Sequence, residues 1–124
     1  MPVSKLALVV EDEESMRTIY DIVLRQKLGF EVLHAQDGAE ALEILENRAP
    51  DIVFLDILLP RVNGAHVLTY IQTAAHLAST RVVIVSAHNH LLQTGTLRND
   101  DQFLLKPVRV HDIQRVVNNL PSTL

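Results

Sequence analysis

The chain has 124 residues, the length of one ordinary domain, with 48% hydrophobic and 21% charged residues. This balance excludes general disorder, the net charge of −4 argues against a nucleic-acid partner, and the absence of cysteine excludes disulfides and thiolate sites. No apolar stretch approaches the ~20 residues of a membrane span, and no signal peptide is recognisable. We therefore expect a cytoplasmic protein that makes no membrane contact.

Five short apolar runs have the character of β-strands. Three of them, Leu6–Val10, Ile52–Leu55 and Val82–Val85, are continuously apolar, which is typical of strands buried on both faces of a sheet. Two shorter runs, Glu31–Ala35 and Phe103–Leu105, complete the set.

Helical patterns separate these runs, and Gly29 stands where a helix C-terminus favours a left-handed residue. The predicted helices cover Ser15–Leu28, a stretch after the N-cap Asp37, a stretch from Asn63-Gly64 to about Leu77, and Val110–Leu120. Between His88 and Asn99 the residues are poor helix formers, so we expect a fourth helix that is short, irregular or mobile. Repeated strand–helix alternation predicts an α/β fold with a doubly wound parallel sheet.

Polar residues follow the predicted strands at their carboxyl ends, which is where doubly wound sheets bind ligands. They are Glu11, Asp12, Asp56, Ser86 and Lys106. Two carboxylates about 4 Å apart repel each other by ~4 kcal/mol at an effective dielectric near 20, and a hard cation offsets that repulsion. A site with oxygen ligands only is suited to Mg²⁺.

Four stretches of the chain also carry a resemblance to a known family. They are Val9–Glu13, Asp51–Gly64, Val82–Ala87 and Phe103–Pro107. Together, and in this order, they resemble the receiver domain of bacterial response regulators over essentially the whole chain. The resemblance implies a flavodoxin-like five-stranded parallel sheet in the order 2-1-3-4-5 with helices on both faces. It also implies one receiver domain over residues 1–124, with no output domain and with 121–124 as the start of a linker.

The resemblance implies a role for each residue of the acidic site. Asp56 would be the phosphoacceptor. Asp12 and Asp56 would bind Mg²⁺ directly, together with the backbone carbonyl of Leu58, and Glu11 would hold a metal-bound water. Lys106 would pair with the phosphoryl oxygens.

Four further features are implied by the same resemblance. Ser86 would hydrogen-bond the phosphoryl group, and Phe103 would be the aromatic residue that changes rotamer in the switch. Leu58 and His88 would set how fast the acyl phosphate is lost; because Leu58 cannot hydrogen-bond an attacking water, slow self-dephosphorylation is expected. The peptide bond before Pro107 would be cis.

The implied function is a phosphorylation-dependent signalling switch that catalyses its own phosphorylation and dephosphorylation without being a conventional enzyme. Its partners would be a sensor histidine kinase or a histidine phosphotransfer protein, and a downstream protein. The downstream protein would bind the face formed by the fourth helix, the fifth strand and the fifth helix. A phosphorylation-dependent homodimer is a further partner that the resemblance implies.

Other classes of function fit the residues less well. A non-phosphorylated interaction module predicts the loss of an acidic residue or of Lys106, and none is lost. A haloacid-dehalogenase-like phosphatase requires a second Asp where Leu58 stands. Flavin binding would place a phosphate against the acidic run Glu11–Glu14, and the six histidines lack the spacing of a zinc site.

Overall fold

The computed structural model describes residues 5–57, 64–87 and 101–119. Its strands are β1 (Leu6–Val10), β2 (Glu31–Ala35), β3 (Ile52–Asp56), β4 (Arg81–Ser86) and β5 (Gln102–Leu105). All neighbouring pairs are parallel, and the order across the sheet is β2-β1-β3-β4-β5. The predicted flavodoxin-like fold and its strand order are therefore confirmed.

The helices pack on both faces of the sheet because successive strand residues point to opposite sides. Val9 and Phe54 face a cluster that includes Tyr20, whereas Leu8 and Leu55 face a second cluster on the other side. Every residue of β1 and β3 is buried. Each fully buried aliphatic side chain contributes about 1.5–3 kcal/mol, so the two central strands anchor the fold.

The first helix differs in its second half from the prediction. Helix α1 (Glu14–Asp21) continues as a π-helical segment, Ile22–Lys27. Its wider turn is visible in the bond from the Leu28 amide to the Val23 carbonyl, five residues back, at 3.1 Å. The apolar spacing indicated a helix but did not distinguish an α-helical from a π-helical turn; Val23 and Leu24 of this segment are buried in the core. Gly29 has φ +76°, as its position predicts.

The remaining helices are α2 (Gly38–Asn47), α3 (Gly64–Thr73) and α4 (Val110–Asn118). Asp37 caps α2 by accepting a hydrogen bond from the Glu40 amide at 2.9 Å. The predicted third helix ends at Thr73, and a short 3₁₀ turn covers Ala75–Leu77. In α4 Ile113 and Val116 are buried, but Val110 is 41% exposed because it begins the helix outside the core.

Several sequence predictions fall on residues that the structure does not describe. The predicted fourth helix, His88–Asn99, and the residues Leu58, His88 and Leu120 lie outside the described ranges. Within those ranges, no helix is both long enough and apolar enough to cross a membrane.

Candidate functional site: an acidic pocket at the strand ends

Three carboxylates meet at the carboxyl ends of β1 and β3. Glu11 and Asp12 follow β1, Asp56 is the last residue of β3, and the two strands are neighbours in the sheet. One carboxylate oxygen from each residue lies within 4.8 Å of the other two. Glu11 and Asp56 are buried, whereas Asp12 is exposed at the mouth. The pocket is therefore a concentrated negative charge with one open side.

The turn that carries Glu11 is held at three points. The Glu11 amide donates to the Ala35 carbonyl of β2 at 3.0 Å, and the Glu13 amide donates to Oε2 of Glu11 at 3.1 Å. The Glu11 carbonyl accepts a hydrogen bond from Nη1 of Arg17 at 2.9 Å. Arg17 carries no recognisable signal in the sequence, because only the turn of the chain brings α1 back to this carbonyl.

Lys106 supplies the positive charge of the pocket. Its Nζ lies 2.8 Å from Oδ2 of Asp56, and its amide donates to the Ser86 carbonyl at 2.9 Å. Partial burial alone would lower the pKa of Lys106, but the hydrogen bond to Asp56 and the charges of Asp56 and Glu11 raise it overall. Lys106 is therefore held as an ammonium beside Asp56.

Burial raises the pKa of Glu11 from its ordinary value of 4.5 to about 7. The hydrogen bond from the Glu13 amide lowers this pKa, and the charge of Asp56 and a contact with Asp12 raise it. Lys106 opposes the rise from across the pocket. In the metal-free protein, Glu11 is thus costly to ionise at neutral pH.

A Glu11→Gln variant should stabilise the metal-free protein at neutral pH by about 3 kcal/mol. The folded protein holds the Glu11 proton more tightly than the unfolded chain, so the wild type loses stability as pH rises from 4.5 to about 7. Glutamine has no proton to lose, so the stability difference should grow over this interval and level off above it. Urea unfolding of the two proteins at a series of pH values measures this stability difference. Glu46→Gln is the control, because Glu46 is exposed. A difference that does not change with pH would contradict the prediction.

A glycine lies directly against the backbone of the pocket. A Cβ on Gly64 would stand 2.7 Å from Cα and O of Ile57 and 2.8 Å from the carbonyl oxygen of Asp56. The Asn63-Gly64 pair indicated a turn from sequence, but only the structure shows that α3 begins against the end of β3. A residue without a side chain is therefore what allows α3 to begin this close to the backbone that carries Asp56.

The other predicted site residues lie at or near this end of the sheet. Ser86 ends β4, beside β3, and is buried. Phe103 lies in β5, half-buried, and packs against the cluster on the α2 and α3 side. The peptide bond between Lys106 and Pro107 is cis, as expected. The roles of Leu58 and His88 concern residues outside the described ranges.

The donor atoms of the pocket fit a hard divalent cation. Glu11, Asp12 and Asp56 offer carboxylate oxygens only, and their mutual repulsion would be relieved by bound positive charge. Few protein ligands and one open side suit Mg²⁺, which retains waters and also binds phosphate oxygens. A cavity of about 300 Å³ adjoins the site, with Met16 and Val108 among its lining residues, and gives an incoming group room beside Lys106.

Comparison with known proteins agrees with this geometry. The family model described as "Response regulator receiver domain" matches residues 7–118. The chain is 31% identical over 118 residues to Protein PilG of Pseudomonas aeruginosa, covering 93% of this chain and 87% of PilG. It is 35% identical over 116 residues to the Regulator of RpoS of Escherichia coli K12, covering 92% of this chain but only 33% of that protein.

Among solved structures, the chain is similar to the response regulator protein TrrA from Thermotoga maritima, which was crystallised in complex with Mg²⁺-BeF. The TM-score is 0.81 at 26% identity, and the match covers 94% of this chain and 99% of TrrA.

Proposed function

Because the chain belongs to the response regulator receiver domain family, we propose that it is a signalling switch phosphorylated on Asp56. A histidine kinase or a histidine phosphotransfer protein supplies the phosphoryl group. One observation carries the proposal: a buried aspartate, paired with Lys106 at 2.8 Å, lies within 4.8 Å of two further carboxylates. Phosphoryl transfer needs this kind of positioning and charge neutralisation.

The acidic residues would hold Mg²⁺ in this reaction. Asp12 and Asp56 would bind it directly, Glu11 would bind it through water, and the carbonyl of Leu58 would complete the protein ligands. When bound, Mg²⁺ neutralises charge on the phosphoryl oxygens. The oxygen-only donor set of the described residues supports this assignment.

The protein's own groups carry the transfer. A carboxylate oxygen of Asp56 attacks the phosphorus atom as the P–N bond of the phosphohistidine breaks, and the electron pair of that bond returns to the imidazole nitrogen. Lys106 donates hydrogen bonds to the phosphoryl oxygens, and Ser86 donates another. No proton is removed from Asp56, because the carboxylate is the reacting form.

Phosphorylation then changes the surface of the domain. The phosphoryl group adds up to about two negative charges and three acceptor oxygens. Ser86 turns toward these oxygens, and Phe103 fills the space that Ser86 leaves. The affected face, made of the predicted fourth helix, β5 and α4, would bind the downstream protein. A homodimer of phosphorylated copies is a further prediction. A cytoplasmic location also stays a prediction.

Intact mass after incubation with a small phosphodonor tests the proposal. The wild type should gain one phosphoryl group with Mg²⁺ and none with excess chelator, and Asp56→Asn should gain none. Asp21→Asn, on α1, is the matched control and should behave as the wild type. If no phosphoryl group is gained, from the phosphodonor or from a panel of histidine kinases, the proposal fails and a constitutive interaction module is favoured.

The phosphorylated protein should lose its phosphoryl group slowly, because Leu58 cannot hydrogen-bond an attacking water. Leu58→Asn should hasten that loss, measured as the decay of the phosphorylated mass over time. Rapid decay in the wild type that this substitution leaves unchanged would show that another position controls hydrolysis.

A further inference from the structure

A single arginine links the first helix to the acidic turn. Arg17 lies in the first half of α1 and is half-buried, and its Nη1 donates to the Glu11 carbonyl at 2.9 Å. The Arg17 amide donates to the Glu13 carbonyl at 3.1 Å, so the backbone of Arg17 is held in the first turn of the helix. Within the ranges 5–57, 64–87 and 101–119, no ion pair involves Arg17. The described contact of its guanidinium is with a backbone carbonyl.

The Arg17 hydrogen bond is made to the β1–α1 turn, which carries two of the three acidic residues of the pocket. Glu11 and Asp56 are both buried, and carboxyl oxygens of Glu11, Asp12 and Asp56 lie within 4.8 Å of one another, so the three groups repel one another once Glu11 is ionised. That repulsion pushes the β1–α1 turn away from β3. The Arg17 hydrogen bond opposes such a movement at the residue whose side chain enters the pocket.

We propose that Arg17 is a positioning residue of the acidic site, which holds the Glu11 carbonyl so that Glu11 and Asp12 face Asp56 in a metal-binding arrangement. This inference rests on the proposed function. Groups that orient metal ligands typically change metal affinity by 10–100-fold when removed. Because Arg17 acts through one backbone carbonyl, we expect an effect of about tenfold, at the low end of that range.

The structure offers a matched control on the same helical element. Nη2 of Arg25 donates to the carbonyl of Val32 at 3.1 Å, and Nη1 pairs with Asp21 at 3.4 Å. Arg25 therefore also joins the first helical element to a backbone carbonyl of a neighbouring segment. Val32 lies in β2, outside the acidic pocket. Removing Arg25 reproduces the general loss of a helix-to-strand hydrogen bond without touching the turn.

The test is calorimetric titration of the metal-free, full chain with Mg²⁺ in the absence of any phosphodonor. Arg17→Gln should weaken Mg²⁺ binding by about tenfold, whereas Arg25→Gln should stay within about twofold of the wild type. Arg17→Lys, which keeps a long donor, should recover most of the affinity. In phosphorylation assays, Arg17→Gln should need more Mg²⁺ for half-maximal rate and should reach nearly the wild-type rate at saturation.

Each outcome decides between the alternatives. Wild-type Mg²⁺ affinity in a folded Arg17→Gln protein overturns the inference, and so does an equal loss in Arg25→Gln, which would show a general stability effect. If Arg17→Gln does not fold, the Mg²⁺ affinity of Arg17→Ala is measured at a lower temperature, and the same outcomes support or overturn the inference. If the wild type binds no Mg²⁺ and gains no phosphoryl group, the proposed function is contradicted instead. Normal phosphorylation with unchanged Mg²⁺ affinity in the variant contradicts only the role of Arg17.

Discussion

Replacing Lys106 with methionine should slow phosphorylation of Asp56 by about 100-fold while making the metal-free protein bind Mg²⁺ more tightly. The two effects have opposite signs because the ammonium has two roles. In the proposed transfer it would stabilise charge on the phosphoryl oxygens, and loss of one such preorganised donor typically costs about 10²–10³ in rate. Before transfer it lies 2.8 Å from Asp56 and repels any cation that the same carboxylate would hold.

The gain in Mg²⁺ affinity should be on the order of tenfold, because a unit charge and a divalent ion a few ångströms apart repel by about 1–2 kcal/mol even in water. Phosphorylation rates at saturating Mg²⁺, together with Mg²⁺ titrations, measure the two effects. Lys5→Met is the control: Lys5 is exposed and precedes β1 at the opposite end of the sheet. If Lys106→Met lowers rate and affinity together, Lys106 organises the whole pocket and the division of roles is wrong.

Gly64→Ala should destabilise the protein by roughly 2–4 kcal/mol and impair phosphorylation even where the variant remains folded. The added Cβ would lie 2.7–2.8 Å from backbone atoms of Asp56 and Ile57, and backbone cannot rotate away as a flexible side chain can. Either α3 or the end of β3 must move. Because Asp56 ends β3, a shift there disturbs the distances within the acidic pocket.

Gly29→Ala separates this steric effect from the ordinary cost of replacing a glycine. Gly29 has φ +76°, but a Cβ there would meet nothing within 4 Å. Alanine at Gly29 should therefore cost about 1–2 kcal/mol through backbone conformation alone and leave phosphorylation intact. Urea unfolding and initial phosphorylation rates compare the two variants. Equal costs and equal rates would show that the close approach at Gly64 relaxes without consequence.

Much of this architecture could be predicted from residue patterns because its causes are local. Continuous apolar runs such as Leu6–Val10 are typical of strands buried on both faces, and all five residues are buried. The apolar spacing of the first helix, the cap at Asp37 and the left-handed Gly29 also depend on near neighbours in the chain. The position of Asp56 at a strand end follows from where an apolar run stops.

Other features depend on contacts between segments that are distant in sequence. The π-helical segment Ile22–Lys27 has the same apolar spacing as an α-helix, so the pattern could not distinguish its wider turn. The exposure of Val110 likewise depends on where α4 begins relative to the sheet. Neither is visible in a periodic pattern, because a pattern gives the face of a helix but not its depth in the core.

Residue patterns alone identify the kind of protein: an α/β sheet whose strand ends carry acids, a hydroxyl and a lysine in the order of a receiver domain. How those groups act on one another depends on the three-dimensional packing. Lys106 follows β5 and lies 2.8 Å from Asp56 of β3, and Arg17 of α1 donates a hydrogen bond to the Glu11 carbonyl. The pKa of Glu11 is raised by burial and by the charge of Asp56, which lies on another strand. Electrostatic and hydrogen-bond energies depend on distance and burial, and the packed fold sets both.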